Sequence, residues 1–152
     1  MGKDEEIKEI MLGMVYEKAR EIYSETMIEY GTNPRNCGTI DNPDGYANIT
    51  GVCGDTVEMF LGMKGEKIDE SKFLTDGCMF SIAACSVAAE MAQGKTVREC
   101  IVITQSAILK RLEKMPADHE HCALLAAMAV QKALRQCIES KEKARGVRRE
   151  VS

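Results

Sequence analysis

The strictest pattern in this sequence is an alternation of apolar and polar residues in the middle of the chain. Over residues 56–63 one face is apolar throughout, and it consists of Val57, Met59, Leu61 and Met63. A period of two is typical of a strand with one buried face. Residues 46–52 and 67–75 on either side also carry strand-forming residues, with Gly65 at the second reversal. The pattern predicts a three-stranded antiparallel sheet.

Helical patterns flank the predicted sheet on both sides. Apolar residues recur at spacings of three and four over residues 4 to about 30, which predicts one amphipathic helix. A stretch rich in Gly, Asn and Pro over residues 31–45 ends that helix. After the sheet, the small and apolar residues that follow Gly77 predict a helix that starts at Cys78 and stops before Gly94.

Shorter helical signals follow. Thr96 and Glu99 have the spacing of a capping box, which predicts a short helical turn. A further helix should begin at Thr104 or Ser106 and end before Pro116. The last and longest helix is expected over residues 121 to about 140.

The order of these elements predicts the domain organisation. We expect a single domain over residues 1–140, followed by a frayed charged tail over residues 141–152 that has little to bury. Helix first, strands in the middle and helices at the end indicate an α+β fold, a three-stranded antiparallel sheet with helices packed mainly on one face.

Composition excludes several classes of partner. The net charge of -4, from 24 acidic and 20 basic residues, gives no basic surface for nucleic acid. No apolar stretch approaches the roughly 20 residues that cross a bilayer, and residues 1–10 lack the pattern of a signal peptide. We therefore expect a cytoplasmic protein that binds neither membrane nor nucleic acid.

The chain contains 7 cysteines, and they lie far apart in the sequence. An odd number of dispersed cysteines, in a chain long enough to fold without covalent cross-links, does not favour a disulfide framework. In a reducing compartment such residues are core side chains, metal ligands or reactive thiols.

Three of these cysteines fall where the backbone turns. Cys53 lies between two predicted strands, Cys78 at a strand-to-helix junction and Cys122 just inside a helix start. Cysteines at helix starts should ionise more easily than ordinary thiols, because the helix dipole stabilises the thiolate. Three thiolates favour zinc, Cu(I) or an iron–sulfur cluster, and Asp55 or His121 could supply the fourth ligand.

Some of the other cysteines are expected to have structural roles, and the roles of the remaining candidate ligands stay open. Cys85, Cys100 and Cys137 lie in apolar helical contexts and are interpreted as packing residues. Cys37 lies in the turn-rich segment, where an exposed thiol could approach the site. His119 also lies close to Cys122 and is a weaker candidate ligand than His121.

Four short motifs, in order, resemble those of the IscU/NifU N-terminal family of iron–sulfur scaffold proteins. They are Asn33-Pro34-Arg35-Asn36, Cys53-Gly54-Asp55, Thr75-Asp76-Gly77-Cys78 and His121-Cys122. The resemblance extends over residues 16 to about 137. That family has an α+β fold, which agrees with the predicted elements.

The resemblance implies a scaffold or carrier protein rather than an enzyme. Such a scaffold combines iron with sulfur from a cysteine desulfurase into a transient [2Fe-2S] cluster and transfers the cluster to apo-proteins. Cys53, Cys78 and Cys122 match the family's cluster cysteines, and Cys122 is the candidate persulfide acceptor. Asp55 matches the aspartate associated with cluster lability, and His121 matches the histidine beside the third cysteine.

Two other functions remain open at this point. One is a zinc-containing sulfur-transfer protein that accepts persulfide on Cys122, and the other is a small electron carrier. The interval from Cys78 to Cys122 has no insertion of the kind that resembles zinc-dependent SufU proteins, which favours the scaffold. Oligomeric state, including a homo-oligomer, is also open.

The chain departs from the bacterial pattern in one segment. Where bacterial IscU proteins carry Leu-Pro-Pro-Val-Lys, recognised by a dedicated chaperone, this chain has Met115-Pro116-Ala117-Asp118-His119. A histidine replaces the lysine, so the resemblance gives little support to a chaperone partner.

Overall fold

The computed structural model describes residues 3–151. In it, the sheet lies where the alternating pattern predicts it. Its strands are β1 (Gly45–Thr50), β2 (Thr56–Lys64) and β3 (Lys67–Thr75), antiparallel in the order β1-β2-β3. The face of β2 that was expected to be apolar joins the buried core, with Val57, Met59 and Leu61 fully buried. The predicted meander is therefore confirmed.

Residues 3–151 contain five α-helices. They are α1 (Lys3–Ile22), α2 (Glu25–Thr32), α3 (Met79–Ala92), α4 (Gln105–Leu112) and α5 (Glu120–Val151). Helix α5 packs on β1 and β2, and α3 packs on β3. The predicted α+β fold, with helices packed on the sheet, is confirmed.

The N-terminal helical segment is divided, so the prediction of one helix to about residue 30 is wrong. Ser24 adopts an extended backbone (φ -68°, ψ 156°), and its hydroxyl accepts a hydrogen bond of 3.0 Å from the Met27 N–H. The same hydroxyl donates to the Leu112 carbonyl at the end of α4. This N-cap joins the start of α2 to a distant helix, and the apolar spacing in the sequence does not reveal that contact.

The predicted caps at Thr96 and Thr104 are present. The Thr96 hydroxyl accepts from the Glu99 N–H at 3.1 Å, and the Glu99 carboxylate accepts from the Thr96 N–H at 3.0 Å. This capping box begins a short 3-10 helix, and Thr104 caps α4 through the Ala107 N–H.

The last helix is longer than the apolar pattern indicates. It begins at Glu120 and continues through Val151, beyond the expected end near residue 140. The fraying of the tail stays a prediction, and residue 152 lies outside the described residues. Within residues 3–151, no helix has both the length and the apolar character needed to cross a bilayer.

One glycine determines how closely the sheet and α5 can approach. A side chain at Gly45, the first residue of β1, would collide with the Ala133 carbonyl oxygen and the Cys137 sulfur of α5. The contact between β1 and α5 therefore requires glycine at this position. Helix α5 packs on β1, and its first turn lies beside the turn that follows β1, where His121 contacts Cys53.

Candidate metal centre

Two loops and the start of a helix meet at one end of the sheet. The first is the turn of residues 51–55 between β1 and β2, closed by hydrogen bonds from the Gly51 N–H to the Asp55 carbonyl at 2.8 Å and from the Gly54 N–H to the Gly51 carbonyl at 3.0 Å. Gly54 has φ +89°, a conformation that favours glycine. This turn presents the exposed Cys53 and the half-buried Asp55.

The second segment joins β3 to α3. The Asp76 carboxylate accepts from the Thr56 N–H at 2.7 Å, and the Thr75 hydroxyl donates to the Thr56 carbonyl at 2.8 Å. The Gly77 N–H in turn donates to the Thr75 hydroxyl at 3.1 Å. These bonds attach the junction to the start of β2, so Cys78, the N-cap residue of α3, lies near the Cys53 turn.

The third segment is the start of α5, where Cys122 is the third helical residue. Cys53 and Cys78 are exposed, whereas Cys122 is only 2% exposed. The three cysteines therefore line a site that has one buried and two accessible sulfurs.

A buried serine links two of the predicted site residues. The Ser81 hydroxyl, 1% exposed, lies 3.1 Å from Asp55 Oδ2 and 3.3 Å from Cys122 Sγ. Ser81 was not among the predicted site residues. Its position three residues after Cys78, on the same side of a predicted helix, is the sequence signal that could have identified it.

The contact between the Ser81 and Asp55 side chains requires glycine at position 77. A Cβ at Gly77 would lie 2.6 Å from the Ser81 side chain and 2.9 Å from Asp55 Oδ2. Distances this short leave no room for a side chain. The glycine of the Thr75-Asp76-Gly77-Cys78 motif thus allows the Ser81 and Asp55 side chains to meet.

His121 contacts two of the three cysteines. Its Nε2 atom lies 3.2 Å from Cys53 Sγ and 3.8 Å from Cys122 Sγ. This ring connects the β1–β2 turn to the first turn of α5. It also places Cys53, His121 and Cys122 around a common space.

His119 forms a second group with the cysteines. The potential ligand atoms of Cys78, His119 and Cys122 all lie within 4.8 Å of one another. Metal–ligand distances are about 2.3 Å for sulfur and about 2.0 Å for nitrogen, so small side-chain movements would bring all three to one ion. His119 was expected to be a weaker candidate ligand than His121, and only the folded chain reveals this group.

Burial controls the chemistry of Cys122. It raises the pKa of the Cys122 thiol to about 11, although the hydrogen bond from Ser81 acts in the opposite direction. The neighbouring Cys78, Cys53 and Asp55 raise this pKa further by charge repulsion. The prediction that a helix start makes Cys122 easier to ionise is therefore wrong, because desolvation outweighs the dipole.

The remaining cysteines lie outside this group. Cys85, Cys100 and Cys137 are fully buried in the core, as predicted, and burial raises the pKa of Cys100 and Cys137 to about 11. Cys37 is exposed, and its backbone forms an isolated bridge with Phe73 of β3. A role for Cys37 at the site stays a prediction.

Comparison with known proteins gives consistent results. The family model described as the NifU-like N-terminal domain matches residues 22–144. An IscU iron–sulfur cluster assembly scaffold protein of Archaeoglobus fulgidus is 39% identical over 114 residues, which are 74% of this chain and 74% of that protein. The IscU scaffold protein of Haemophilus influenzae is 35% identical over 117 residues, which are 74% of this chain and 92% of that protein.

Solved structures resemble the fold as well. A protein of Fervidobacterium islandicum, described as an iron–sulfur cluster assembly scaffold for the SUF system, gives a TM-score of 0.65 at 25% identity, over 76% of this chain and 98% of that chain. The N-terminal part of a NifU-like protein from Brucella abortus gives 0.63 at 23% identity, over 78% of this chain and 95% of that one. The second likeness concerns the fold alone.

Proposed function

The chain belongs to the NifU-like N-terminal domain family, and from that premise we propose that it is a scaffold on which an iron–sulfur cluster is assembled and then transferred to apo-proteins. Membership confirms the resemblance found in the motifs. The observation that carries the proposal is the convergence of Cys53, Cys78 and Cys122, from three separate segments, around His119, His121 and Asp55.

The cargo is a [2Fe-2S] cluster in this proposal. Cys53, Cys78 and Cys122 supply sulfur ligands, which match the softness of iron–sulfur centres. The fourth ligand is Asp55 or His121. A shell of mixed sulfur, oxygen and nitrogen ligands, two of whose sulfurs are exposed, should hold a cluster less tightly than four buried thiolates. That weaker binding suits a cluster that must leave.

Sulfur delivery from a cysteine desulfurase is the second part of the proposal. Cys122, whose pKa burial raises to about 11, first loses its proton, and the resulting thiolate attacks the outer sulfur of a desulfurase persulfide. The persulfide S–S bond breaks, the desulfurase thiolate leaves, and Cys122 carries the sulfur. Cys122 is 2% exposed, so this attack requires the His121 side chain or the turn of residues 51–55 to move aside. Desulfurase binding at this turn would provide that movement.

A zinc-containing sulfur-transfer protein is the alternative. The triplet of Cys78, His119 and Cys122 favours it, because three protein ligands with an open fourth position are typical of reactive zinc sites. In that case Cys122 would accept persulfide while zinc stayed bound.

Anaerobic reconstitution tests the scaffold proposal. The full chain is incubated with ferrous iron, cysteine, a catalytic amount of desulfurase and a thiol reductant, and is then separated from small molecules. We expect visible absorption bands and about two irons and two sulfides per cluster. The matched control replaces Cys53, Cys78 and Cys122 with Ser.

The two functions predict different outcomes for this experiment. A colourless protein that keeps one zinc ion and accepts sulfur on Cys122 would establish the alternative. Iron and sulfide at the level of the triple Ser variant would refute the scaffold proposal.

A further inference from the structure

We propose that two copies of this chain exchange their N-terminal helices, so that an apolar face of α1 from each copy packs into a groove beside α5 of the other. The groove lies between the short 3-10 helix Glu99–Val102 and the middle of α5. The occupant is α1 (Lys3–Ile22) of the second copy. This association is independent of the scaffold function, because it uses none of the residues of the metal centre.

Helix α1 carries an apolar face that is exposed in the single chain. Four residues of this face follow the helical spacing i, i+3, i+4 and i+7, and each is 54–64% exposed: Ile7, Ile10, Met11 and Met14. We call these four residues the stripe. Most of the stability of a protein helix comes from packing such a face, and contiguous exposed apolar surface marks an interaction site. The stripe therefore calls for a partner surface.

The groove beside α5 offers a surface of matching character. It has a volume of about 560 Å³, and its apolar side chains are Val97, Ile101, Leu134 and Ile138. Ile101 and Ile138 are 65% and 44% exposed, so they are available to a partner. A concave apolar surface of this kind can receive the ridge of side chains on a helix.

The charges of the groove favour an acidic occupant. Arg98 and Arg135 line it, together with one acidic residue, Glu66. The Glu66 carboxylate is paired with Lys141 at 3.2 Å, whereas neither arginine forms an ion pair among the side chains that the structure describes. The groove therefore presents two guanidinium groups that a carboxylate on the partner can approach.

The charges beside the stripe match those of the groove. Glu6 precedes Ile10 by four residues and Glu17 follows Met14 by three, so both carboxylates lie at the edge of the stripe. An apolar helix face with an acidic edge thus meets an apolar groove with two arginines. Since the stripe is exposed in the structure, α1 does not occupy the groove of its own chain. The complementary groove is that of a second copy.

Reciprocal exchange gives this interface a sufficient size. A stable interface typically takes about 20–30 residues from each partner. One face of the 20-residue α1 and the groove residues approach this number only when each chain contributes both. Exchange around a two-fold axis also closes the assembly at two copies. Gln131, the first groove residue of α5, lies about 14 Å along the helix from Cys122, so the docked helix and the cysteine site use different parts of α5.

Sedimentation equilibrium of the full chain over a range of concentrations tests the association. We expect a reversible dimer with twice the chain mass of 16.8 kDa. The double variants Ile10→Gln/Met14→Gln, in the stripe, and Ile101→Gln/Ile138→Gln, in the groove, should each weaken the dimer by more than about 10-fold. Each of them removes two apolar side chains from both halves of the interface.

The matched controls change exposed apolar residues just outside the two surfaces. Leu12, 56% exposed, lies two residues from Ile10 on another side of α1, and Val102, 66% exposed, is next to Ile101 but does not line the groove. Leu12→Gln and Val102→Gln should associate as strongly as the parent chain. Equal weakening in these controls would overturn the assignment of the stripe and the groove.

Charge reversal provides a test that a folding defect cannot imitate. Glu6→Arg/Glu17→Arg reverses the edge of the stripe, and Arg98→Glu/Arg135→Glu reverses the groove. Each variant alone should be mainly monomeric, because like charges meet at both docked helices. An equal mixture of the two should form a heterodimer, since an arginine-edged helix then meets a glutamate-lined groove and the native helix meets the native groove.

Three outcomes would overturn the proposal. The first is a parent chain that stays at 16.8 kDa at every concentration. The second is a dimer that survives both double Gln variants, because it would use another surface. The third is a mixture of the charge-reversed variants that remains monomeric. None of these measurements involves metal or sulfide, so they are distinguishable from a failure of the scaffold proposal.

Discussion

The hydroxyl of Ser81 lies 3.3 Å from the sulfur of Cys122, and this contact joins the first turn of α3 to the first turn of α5 beneath the site. The same oxygen lies 3.1 Å from Asp55 Oδ2. A hydroxyl has one proton to donate, so at any one time it can donate a hydrogen bond to the carboxylate or to the sulfur, but not to both. Ser81 therefore couples the predicted oxygen ligand to the buried sulfur ligand.

Replacing Ser81 tests this coupling. In Ser81→Ala, the Cys122 thiolate loses its hydrogen-bond donor, and we expect zinc affinity to fall by about 10-fold or more, as for other outer-shell partners of ligands. The control is Ser86→Ala, another fully buried serine of α3, which bonds to the Arg35 backbone instead. That control should lose about 1–2 kcal/mol of unfolding free energy and keep its zinc affinity. Equal affinities for both variants would contradict the role of Ser81.

The cysteines should divide into two groups when they are replaced singly. Cys53→Ser, Cys78→Ser and Cys122→Ser should each abolish or severely reduce cluster assembly, because each removes a ligand. Iron and sulfide content after reconstitution measures this effect. The controls are Cys85→Ala, Cys100→Ala and Cys137→Ala, which should assemble a cluster and lose only stability, since these side chains are buried in the core. Assembly that survives in two of the three Ser variants would remove the basis for the ligand set.

Asp55 should control how long a cluster survives. In Asp55→Ala, an exchangeable oxygen ligand and its access to water are removed, so we expect slower loss of the visible absorption after reconstitution. Asp69→Ala, an exposed aspartate in β3, is the control and should decay at the parental rate. Faster decay in Asp55→Ala than in the parent would show that the carboxylate stabilises the cluster.

Gly77 should not tolerate a side chain. A Cβ there would lie 2.6 Å from Ser81 and 2.9 Å from Asp55, so Gly77→Ala must displace both groups and should weaken zinc binding. The control is Gly65→Ala, at a site with φ +64° and no neighbouring atom within 4 Å. That variant should cost about 1–2 kcal/mol through backbone strain alone and leave zinc binding intact. Unchanged zinc affinity in Gly77→Ala would contradict the close packing of the site.

Alkaline pH should destabilise the metal-free chain. Burial raises the pKa of Cys100 from the ordinary 9.0 to about 11, so the folded chain keeps this proton after the unfolded chain has lost it. The stability that this thiol contributes is complete below pH 9 and is lost as the pH rises towards 11. Each such thiol adds up to about 1.4 kcal/mol of destabilisation per pH unit in this range.

Denaturant unfolding under reducing conditions, between neutral pH and pH 10.5, measures this effect. Cys137 has the same shift to about 11 and should add to the slope. In Cys100→Ala the slope should be shallower, because one titrating thiol is gone. A slope equal to that of the parent chain would mean that Cys100 does not titrate differently in the two states.

Local patterns in the sequence determined the elements of this protein. The alternation over residues 56–63, the capping box of Thr96 and Glu99 and the position of Cys78 before α3 were all predicted from neighbours within a few residues. Such features are visible in a sequence because strand period and helix caps depend on contacts between residues close along the chain. The motifs also identified the family and the site residues that were then proposed.

Tertiary structure decided everything that depends on residues far apart in the chain. The break at Ser24 accompanies a contact with Leu112, and the burial that raises the pKa of Cys122 comes from the packing of α5. The bonds of Ser81, and the grouping of His119 with Cys78, require α3, α5 and the β1–β2 turn to meet. Helix position predicted an easily ionised Cys122, but desolvation depends on what surrounds the sulfur in three dimensions, and no spacing in the sequence specifies that.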